Sequence, residues 1–177
     1  MEEWEVSRLC LVAERAPVTD DTDYEPILAS GATEWVLAAP FRAHVRHVGE
    51  VTGMPWRVLA LVAGVQPALM RSLLFGRQGR QVRRLHIVTA RLLLALDATT
   101  LRLLGGRRCR AEHTRGRIRD LLGDLDADEL AAMTRCSTSE LTALAEGDQT
   151  TCNAITALLV HAVWDAHRCG FASDVAA

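Results

Sequence analysis

An internal repeat constrains the fold of this chain more than any other feature of its sequence. Residues 57–77 align without a gap with residues 128–148, 71 positions later. The identical aligned pairs are Leu59 and Leu130, Ala60 and Ala131, Leu73 and Leu144, and Gly76 and Gly147. The pairs that keep apolar character are Val62 and Met133, Val65 and Cys136, and Met70 and Leu141. The repeat predicts two similar small modules in tandem.

Helical periodicity in the first copy predicts an all-α fold. Apolar positions recur at helical spacing from residue 41, and Gly53 follows them, so a first helix is expected over 41–52. Pro55 precedes a second helix over 56–63, and a third over 66–75 stops at Gly76. The run 86–96 is apolar nearly all round and predicts a central core helix, followed by a short piece over 101–104.

The second copy predicts the remaining elements and the division of the chain. Residues 115–125 should repeat the first helix, and residues 155–166 should repeat the central one. We expect an acidic N-terminal arm over 1–40, with one short helix near 34–39, and a first module over 41–105. A second, degenerate module follows over 106–170, and residues 171–177 form a tail.

Charge is segregated along the chain although the net charge is only −2. All basic side chains except histidine are arginine, and 16 of the 20 lie in residues 42–119 together with three acids. Both flanking segments are acidic. Arginine presents a planar fork of donors that suits phosphates and guanine edges, so the basic block indicates a polyanionic partner.

The first module has the spacing expected of two helices that cross steeply through a tight turn. The positions that carry this pattern are Ala60 as the small contact, Gly64 as the turn, Val65 as the buried residue after it, and Met70 and Leu73 as the inward face of the next helix.

This spacing resembles the helix-turn-helix of lambda-repressor-like DNA-binding domains. The resemblance covers residues 41–98 well and 115–166 weakly. It implies that the outward face of the recognition helix, residues 66–75, reads bases in the major groove. The positions concerned are Gln66, Ala68, Arg71, Ser72 and Phe75. Arg71 suits guanine, while Gln66 could read adenine or cap the helix.

Arginines near this helix are expected to contact phosphates or to enter the minor groove. The residues are Arg57, Arg77, Arg80, Arg83, Arg84, Arg107, Arg108 and Arg110. A solvated loop is the alternative for residues 76–84. In the second module Thr142, Glu146 and Asp148 replace Arg71, Phe75 and Arg77, so dimerisation or protein docking through residues 106–170 is expected there, with a second DNA contact as the alternative.

No enzyme motif or cofactor signature occurs in the sequence, so we expect neither catalysis nor a cofactor. Cys109, His113, His167 and Cys169 lack zinc-site spacing, so no metal is expected, and the five cysteines should be reduced thiols. His161 lies on an apolar helix and is interpreted as a satisfied core histidine.

No membrane span is present in the sequence, and the acidic N-terminus is unlike a signal peptide, so a cytoplasmic, nucleoid-associated protein is expected. Together these features favour a transcriptional regulator, a repressor in our interpretation, that binds double-stranded DNA. The alternatives are a protein-interaction adaptor and a non-specific architectural DNA-binding protein.

Overall fold

The computed structural model describes residues 34–169, and within that range the protein is mainly helical. Residues 34–106, the first half, contain β1 (Trp35–Leu37), α1 (Ala39–Thr52), α2 (Trp56–Ala63), α3 (Pro67–Phe75), β2 (Arg84–His86), α4 (Ile87–Leu94) and α5 (Ala98–Gly105). Residues 107–169, the second half, contain β3 (Arg108–Arg110), α6 (Glu112–Leu122), α7 (Ala127–Thr134), α8 (Thr138–Glu146), β4 (Thr151–Asn153) and α9 (Ala154–Arg168). The tail and most of the predicted acidic arm lie outside the described residues.

The same order of elements occurs twice: a strand, three helices, a second strand and a helix. Helices α2 and α7 begin 71 positions apart, and so do α3 and α8, which is the offset of the gap-free sequence alignment. The repeat therefore extends from the sequence into the secondary structure. The first half has one further helix, α5, which leads into the second half.

Each half also contains one antiparallel strand pair. Trp35 lies opposite His86 in β1 and β2, and Arg108 lies opposite Asn153 in β3 and β4. The helix predicted near residues 34–39 is therefore wrong, since residues 35–37 form β1 and only residue 39 begins α1. Strands of three residues are too short to show alternation, and their pairing depends on partners distant in the chain.

The turns between the second and third helices of each half have left-handed backbone. Gly64 has φ 67° and ψ 28° after α2, and Arg135 has φ 54° and ψ 33° at the equivalent place after α7. A capping box begins α8: the Ser137 hydroxyl accepts from the Glu140 amide, and the Glu140 carboxylate accepts from the Ser137 amide. These amide and hydroxyl donors of Ser137 lower the pKa of Glu140.

The central helix of the protein is α9 rather than the helix predicted over 86–96. In α4 only Ala90 and Leu93 are buried, and Val88, Leu92 and Leu94 are exposed. Helix α9 has 15 residues, eight of them buried, and contacts both α6 and α2. A helix that is apolar on every side is buried only where neighbours cover every side, and α4 lacks such cover within the described residues.

The two halves pack directly against each other through α2 and α9. Val58 on α2 is buried against Leu159 and Ala162 on α9. Beside this contact the Arg57 guanidinium donates to the Asp165 carboxylate at 2.7 Å. Burial of each large aliphatic side chain stabilises the contact by about 2 kcal/mol.

His161 is buried on α9, as predicted, but it is not satisfied. Its side chain is 8% exposed, and its Nδ1 atom has no hydrogen-bond partner among residues 34–169. Burial lowers the pKa of His161 from 6.5 to about 4, with a further contribution from the positive charge of Arg117. In residues 34–169 no helix has the length and apolar character that a bilayer crossing requires.

Two alanine substitutions should separate backbone strain from steric clash. A Cβ at Gly64 would meet no atom within 4 Å, so Gly64→Ala should lower the free energy of unfolding by only about 1 kcal/mol, the conformational cost. At Gly76, with φ 80° and ψ 177°, a Cβ would lie 2.8 Å from the Arg80 carbonyl oxygen. Gly76→Ala should therefore cost about 3 kcal/mol. Equal losses in urea unfolding would contradict this difference.

The low pKa of His161 predicts acid sensitivity. Between pH 6.5 and about 4 the unfolded chain binds a proton at this residue that the folded protein excludes, so stability falls as the pH falls. Above pH 6.5 the residue contributes nothing. Between pH 7 and pH 5 the wild type should lose about 2 kcal/mol more unfolding free energy than His161→Leu, measured by urea unfolding. An identical pH dependence in both proteins would show that His161 titrates normally.

Candidate nucleic-acid interface

Helix α3 has one buried face and one exposed face. Met70, Leu73 and Leu74 are at most 6% exposed and belong to the core of the first half. On the opposite face Ala68 and Arg71 are exposed. The core contacts therefore orient the helix so that the residues predicted to read bases face outward, as its 3.6-residue period requires.

Two of the predicted base-reading residues, Ser72 and Phe75, contact other residues of the protein, and Gln66 does not make the contact expected of a cap. Gln66 is exposed at the N-cap of α3, and its side chain makes no capping hydrogen bond within the described range, so the capping alternative is not seen and base reading stays a prediction. The Ser72 hydroxyl donates to the Ala68 carbonyl at 2.8 Å, so it is already engaged. Phe75 is 61% exposed, with its ring edge-on to Trp56 at 6.1 Å.

Two arginines of α1 hold the C-terminal end of α3. Arg42 donates from Nε to the Leu73 carbonyl at 2.7 Å and from Nη2 to the Val82 carbonyl at 2.8 Å. Arg46 donates to the Leu74 carbonyl at 2.9 Å. The last carbonyls of a helix have no partner within the helix, and a cation there also favours the negative end of its dipole. This pair, the arginine clamp, ties α3 and the following loop to α1.

The loop after α3 contains a tight turn with an arginine at each end. The Arg77 and Arg80 amides each donate to the other residue's carbonyl, at 2.9 and 3.0 Å. Gln78 and Gly79 between them have φ 51° and 76°, and positive φ at both central positions is typical of a type I′ turn. The side chains of Arg77 and Arg80 are exposed. The turn thus displays two guanidinium groups directly after α3.

The remaining predicted phosphate contacts lie on or beside the two strand pairs. Arg83 and Arg84 are exposed at the start of β2, next to the turn between Arg77 and Arg80. Arg107, Arg108 and Arg110 are exposed on the other strand pair, in the second half. Arg108 is partly engaged, because it donates to the Thr151 hydroxyl at 3.0 Å and carbonyl at 3.1 Å. The structure therefore places nine of the predicted DNA contacts on α3, at its N-cap or in the segment that follows it. They are Gln66, Ala68, Arg71, Ser72, Phe75, Arg77, Arg80, Arg83 and Arg84.

Arg57 does not fit the phosphate contact predicted for it. It is 4% exposed, its guanidinium is paired with Asp165, and it stacks on Trp56 at 4.7 Å from the ring centroid. A phosphate could reach it only by separating α2 from α9. The sequence marked Arg57 as part of the basic block, but its burial depends on a helix more than 90 positions away. Arg57 joins the two halves and is not part of the candidate interface.

The arginine clamp is repeated in the second half, and it was predicted from the sequence in neither half. Arg115 donates to the Leu144 carbonyl at 3.2 Å, and Arg119 donates to the Ala145 carbonyl at 2.7 Å, at the end of α8. The sequence does contain a sign of the clamp, since the pair Arg42 and Arg46 recurs 73 positions later as Arg115 and Arg119. Four of the 16 arginines in the basic block therefore hold helix ends.

The matching helix of the second half has the opposite charge. Residues 55–77 contain three arginines and no acid, whereas the aligned residues 126–148 contain one arginine and six acids. Glu146 and Asp148 are exposed where α3 and its loop have Phe75 and Arg77. Carboxylates repel phosphates, so of these two matching helices only α3 has a charge compatible with a phosphate backbone.

An open cleft of about 710 Å³ lies between the two halves, beside the end of α3. Trp56 and Phe75 line one side, and Met133 and Arg135 line the other. Its two guanidiniums are already engaged with backbone carbonyls, Arg46 with that of Leu74 and Arg135 with that of Gly53. We assign no ligand to it.

Metal ligands do not cluster in the part of the chain that the structure describes. Within residues 34–169 no three His, Cys, Asp or Glu side chains come together in a way that could hold a metal ion. Cys109 instead lies across the strand pair from Cys152.

No family model, curated protein or solved structure matches this chain. The function must therefore be argued from its own residues.

Proposed function

We propose that this protein is a sequence-specific regulator that binds double-stranded DNA through the exposed face of α3. The observation that carries the proposal is the pairing of an outward face containing Arg71 with an arginine-flanked turn that follows directly. A helix of this size fits the major groove, where an arginine can make two hydrogen bonds to guanine. In this proposal α2, the turn at Gly64 and α3 act as a helix-turn-helix.

The exposed arginines that follow α3 supply the affinity. Arg77, Arg80, Arg83 and Arg84 are exposed, and residues 51–96 contain no acid that would oppose a phosphate. Neutralising phosphates releases counterions, which gives a favourable term without sequence preference. The arginine clamp supports this role because it holds the loop against the end of the helix, so both can meet one stretch of duplex.

The second half contributes stability and orientation in this proposal. Its α9 is already packed against α2, so that face is not available for a second copy of the chain. The acidic surface of α7 and α8 suits a protein partner or a homodimer contact better than DNA. Repression by occupying a promoter site is the mode of regulation that we propose.

Salt dependence of duplex binding is the first test. For a random-sequence duplex, affinity measured by fluorescence anisotropy should fall steeply as salt rises, consistent with roughly six to ten phosphate contacts. The double substitution Arg80→Ala/Arg84→Ala should reduce the slope of log affinity against log salt by about 1.8, which is about 0.9 for each lost contact.

Arg102→Ala is the matched control for this experiment. Arg102 is an exposed arginine on α5 outside the proposed interface, so its loss should leave the slope nearly unchanged. The same slope in the double variant and the wild type would show that Arg80 and Arg84 do not contact phosphates. Absence of duplex binding at moderate salt would favour the adaptor alternative instead.

Sequence preference is the second test, and it centres on Arg71. Duplexes that bind are first selected from a random pool. Arg71→Thr places at this position the residue that the second half has at Thr142. Affinity for the selected sequence should fall about 10- to 100-fold, while affinity for unrelated duplexes should fall far less.

Thr142→Ala provides the control, and it should alter neither affinity. An equal loss on all sequences would identify Arg71 as a phosphate contact. A pool without any enriched sequence would favour an architectural protein that binds DNA without preference.

A further inference from the structure

Two thiols face each other across the strand pair of the second half. Cys109 on β3 is directly opposite Cys152 on β4, and their Sγ atoms are 3.6 Å apart. No disulfide bond joins them in this structure. Opposite Cα atoms of an antiparallel pair lie about 4.5 to 5.5 Å apart, within the roughly 4.4 to 6.8 Å that a disulfide spans. The backbone therefore already has the geometry of a bridge.

The neighbouring hydrogen bonds hold the two cysteines in register. The Ala111 amide donates to the Thr150 carbonyl at 2.9 Å, and the Ala154 amide donates to the Arg107 carbonyl at 3.0 Å. These bonds lie on either side of the cysteine pair, so the strands need no rearrangement for the sulfur atoms to meet.

The first half shows what packing alone would place at this site. There Val36 lies opposite Leu85 in the same register, and Leu85 is buried. The second half has two thiols in place of these aliphatic side chains, and Thr114 in place of Phe41. Cys152 donates to the Thr114 hydroxyl. The substitution removes apolar volume from the core and brings two oxidisable groups into contact.

We propose that Cys109 and Cys152 form an oxidation site, at which a peroxide closes a reversible disulfide bond that locks β3 to β4. Cys109 is half-buried and Cys152 is 3% exposed, so the peroxide reaches Cys109 first. The Cys109 sulfur attacks one peroxide oxygen, the O–O bond breaks, and a sulfenic acid and water result. The Cys152 sulfur then attacks the sulfenic sulfur, and a second water leaves.

Peroxide is the oxidant that balances this reaction. The two thiols together lose two electrons and two protons, and hydrogen peroxide is reduced to water. A dithiol such as dithiothreitol reverses the step by thiol–disulfide exchange. The bridge would close a loop of about 43 residues, which restricts the unfolded chain and raises the stability of the second half.

Peptide mapping of the full chain tests the proposal. The reduced protein is treated with hydrogen peroxide, alkylated with N-ethylmaleimide and cleaved before aspartate without reduction. Residues 97–119 and 148–164 then form two peptides that each contain one cysteine, while Cys10, Cys136 and Cys169 fall in others. We expect the two peptides to be linked, and dithiothreitol to separate them.

Thermal unfolding gives a second readout. Oxidation should raise the Tm of the wild type by roughly 10 °C, the effect of closing a loop of this length in a chain of this size. The control is Cys109→Val/Cys152→Leu, which copies the Val36 and Leu85 pair of the first half. Peroxide should not change its Tm. Cys109→Ser provides a second variant, in which no link to residues 148–164 should form.

Two results would overturn the proposal. In one, both peptides are recovered alkylated after peroxide treatment, or residues 148–164 are linked mainly to a peptide that contains Cys10, Cys136 or Cys169. In the other, the expected link forms but the Tm of the oxidised wild type equals that of the reduced protein.

Discussion

The hydrogen bonds from paired arginines on one helix to the end of another determine how the candidate interface is built. Arg42 and Arg46 supply donors to carbonyls that α3 cannot satisfy itself, and charge-assisted bonds of this kind contribute about 1.5 to 3 kcal/mol each. The Val82 carbonyl receives a third bond from the same pair, so the loop after α3 is held together with the helix. Helix α3 and the loop after it are therefore both fixed to α1, so their exposed side chains keep the same relative positions.

The same clamp in both halves shows which arginines are structural and which can bind a partner. Arg115 and Arg119 repeat the contacts of Arg42 and Arg46 at the end of α8, where the exposed surface is acidic. The clamp therefore belongs to the fold and is independent of any nucleic-acid role. A guanidinium whose donors are taken by carbonyls is a weaker candidate for phosphate than an exposed one, such as those of Arg77, Arg80, Arg83 and Arg84 after α3.

The junction of the halves has a charge at its centre. Arg57 is buried and depends on Asp165, because a buried cation without its partner is costly. His161, on the same helix as Asp165, stays neutral because burial disfavours its charged form. Helix α9 thus carries the packing that joins the two halves and also the buried group from which we predict acid sensitivity.

The sequence by itself determined most of the helices, the turn at Gly64 and the repeat, because these depend on neighbours within a few positions. Periodicity placed α2 and α3, Gly64 marked the turn, and the outward positions of α3 followed from its helical period. Only the tertiary structure decided the strand pairs, the exposure of α4, the burial of Arg57 and the meeting of Cys109 with Cys152. Each of these depends on which distant surfaces touch, and no local pattern encodes that.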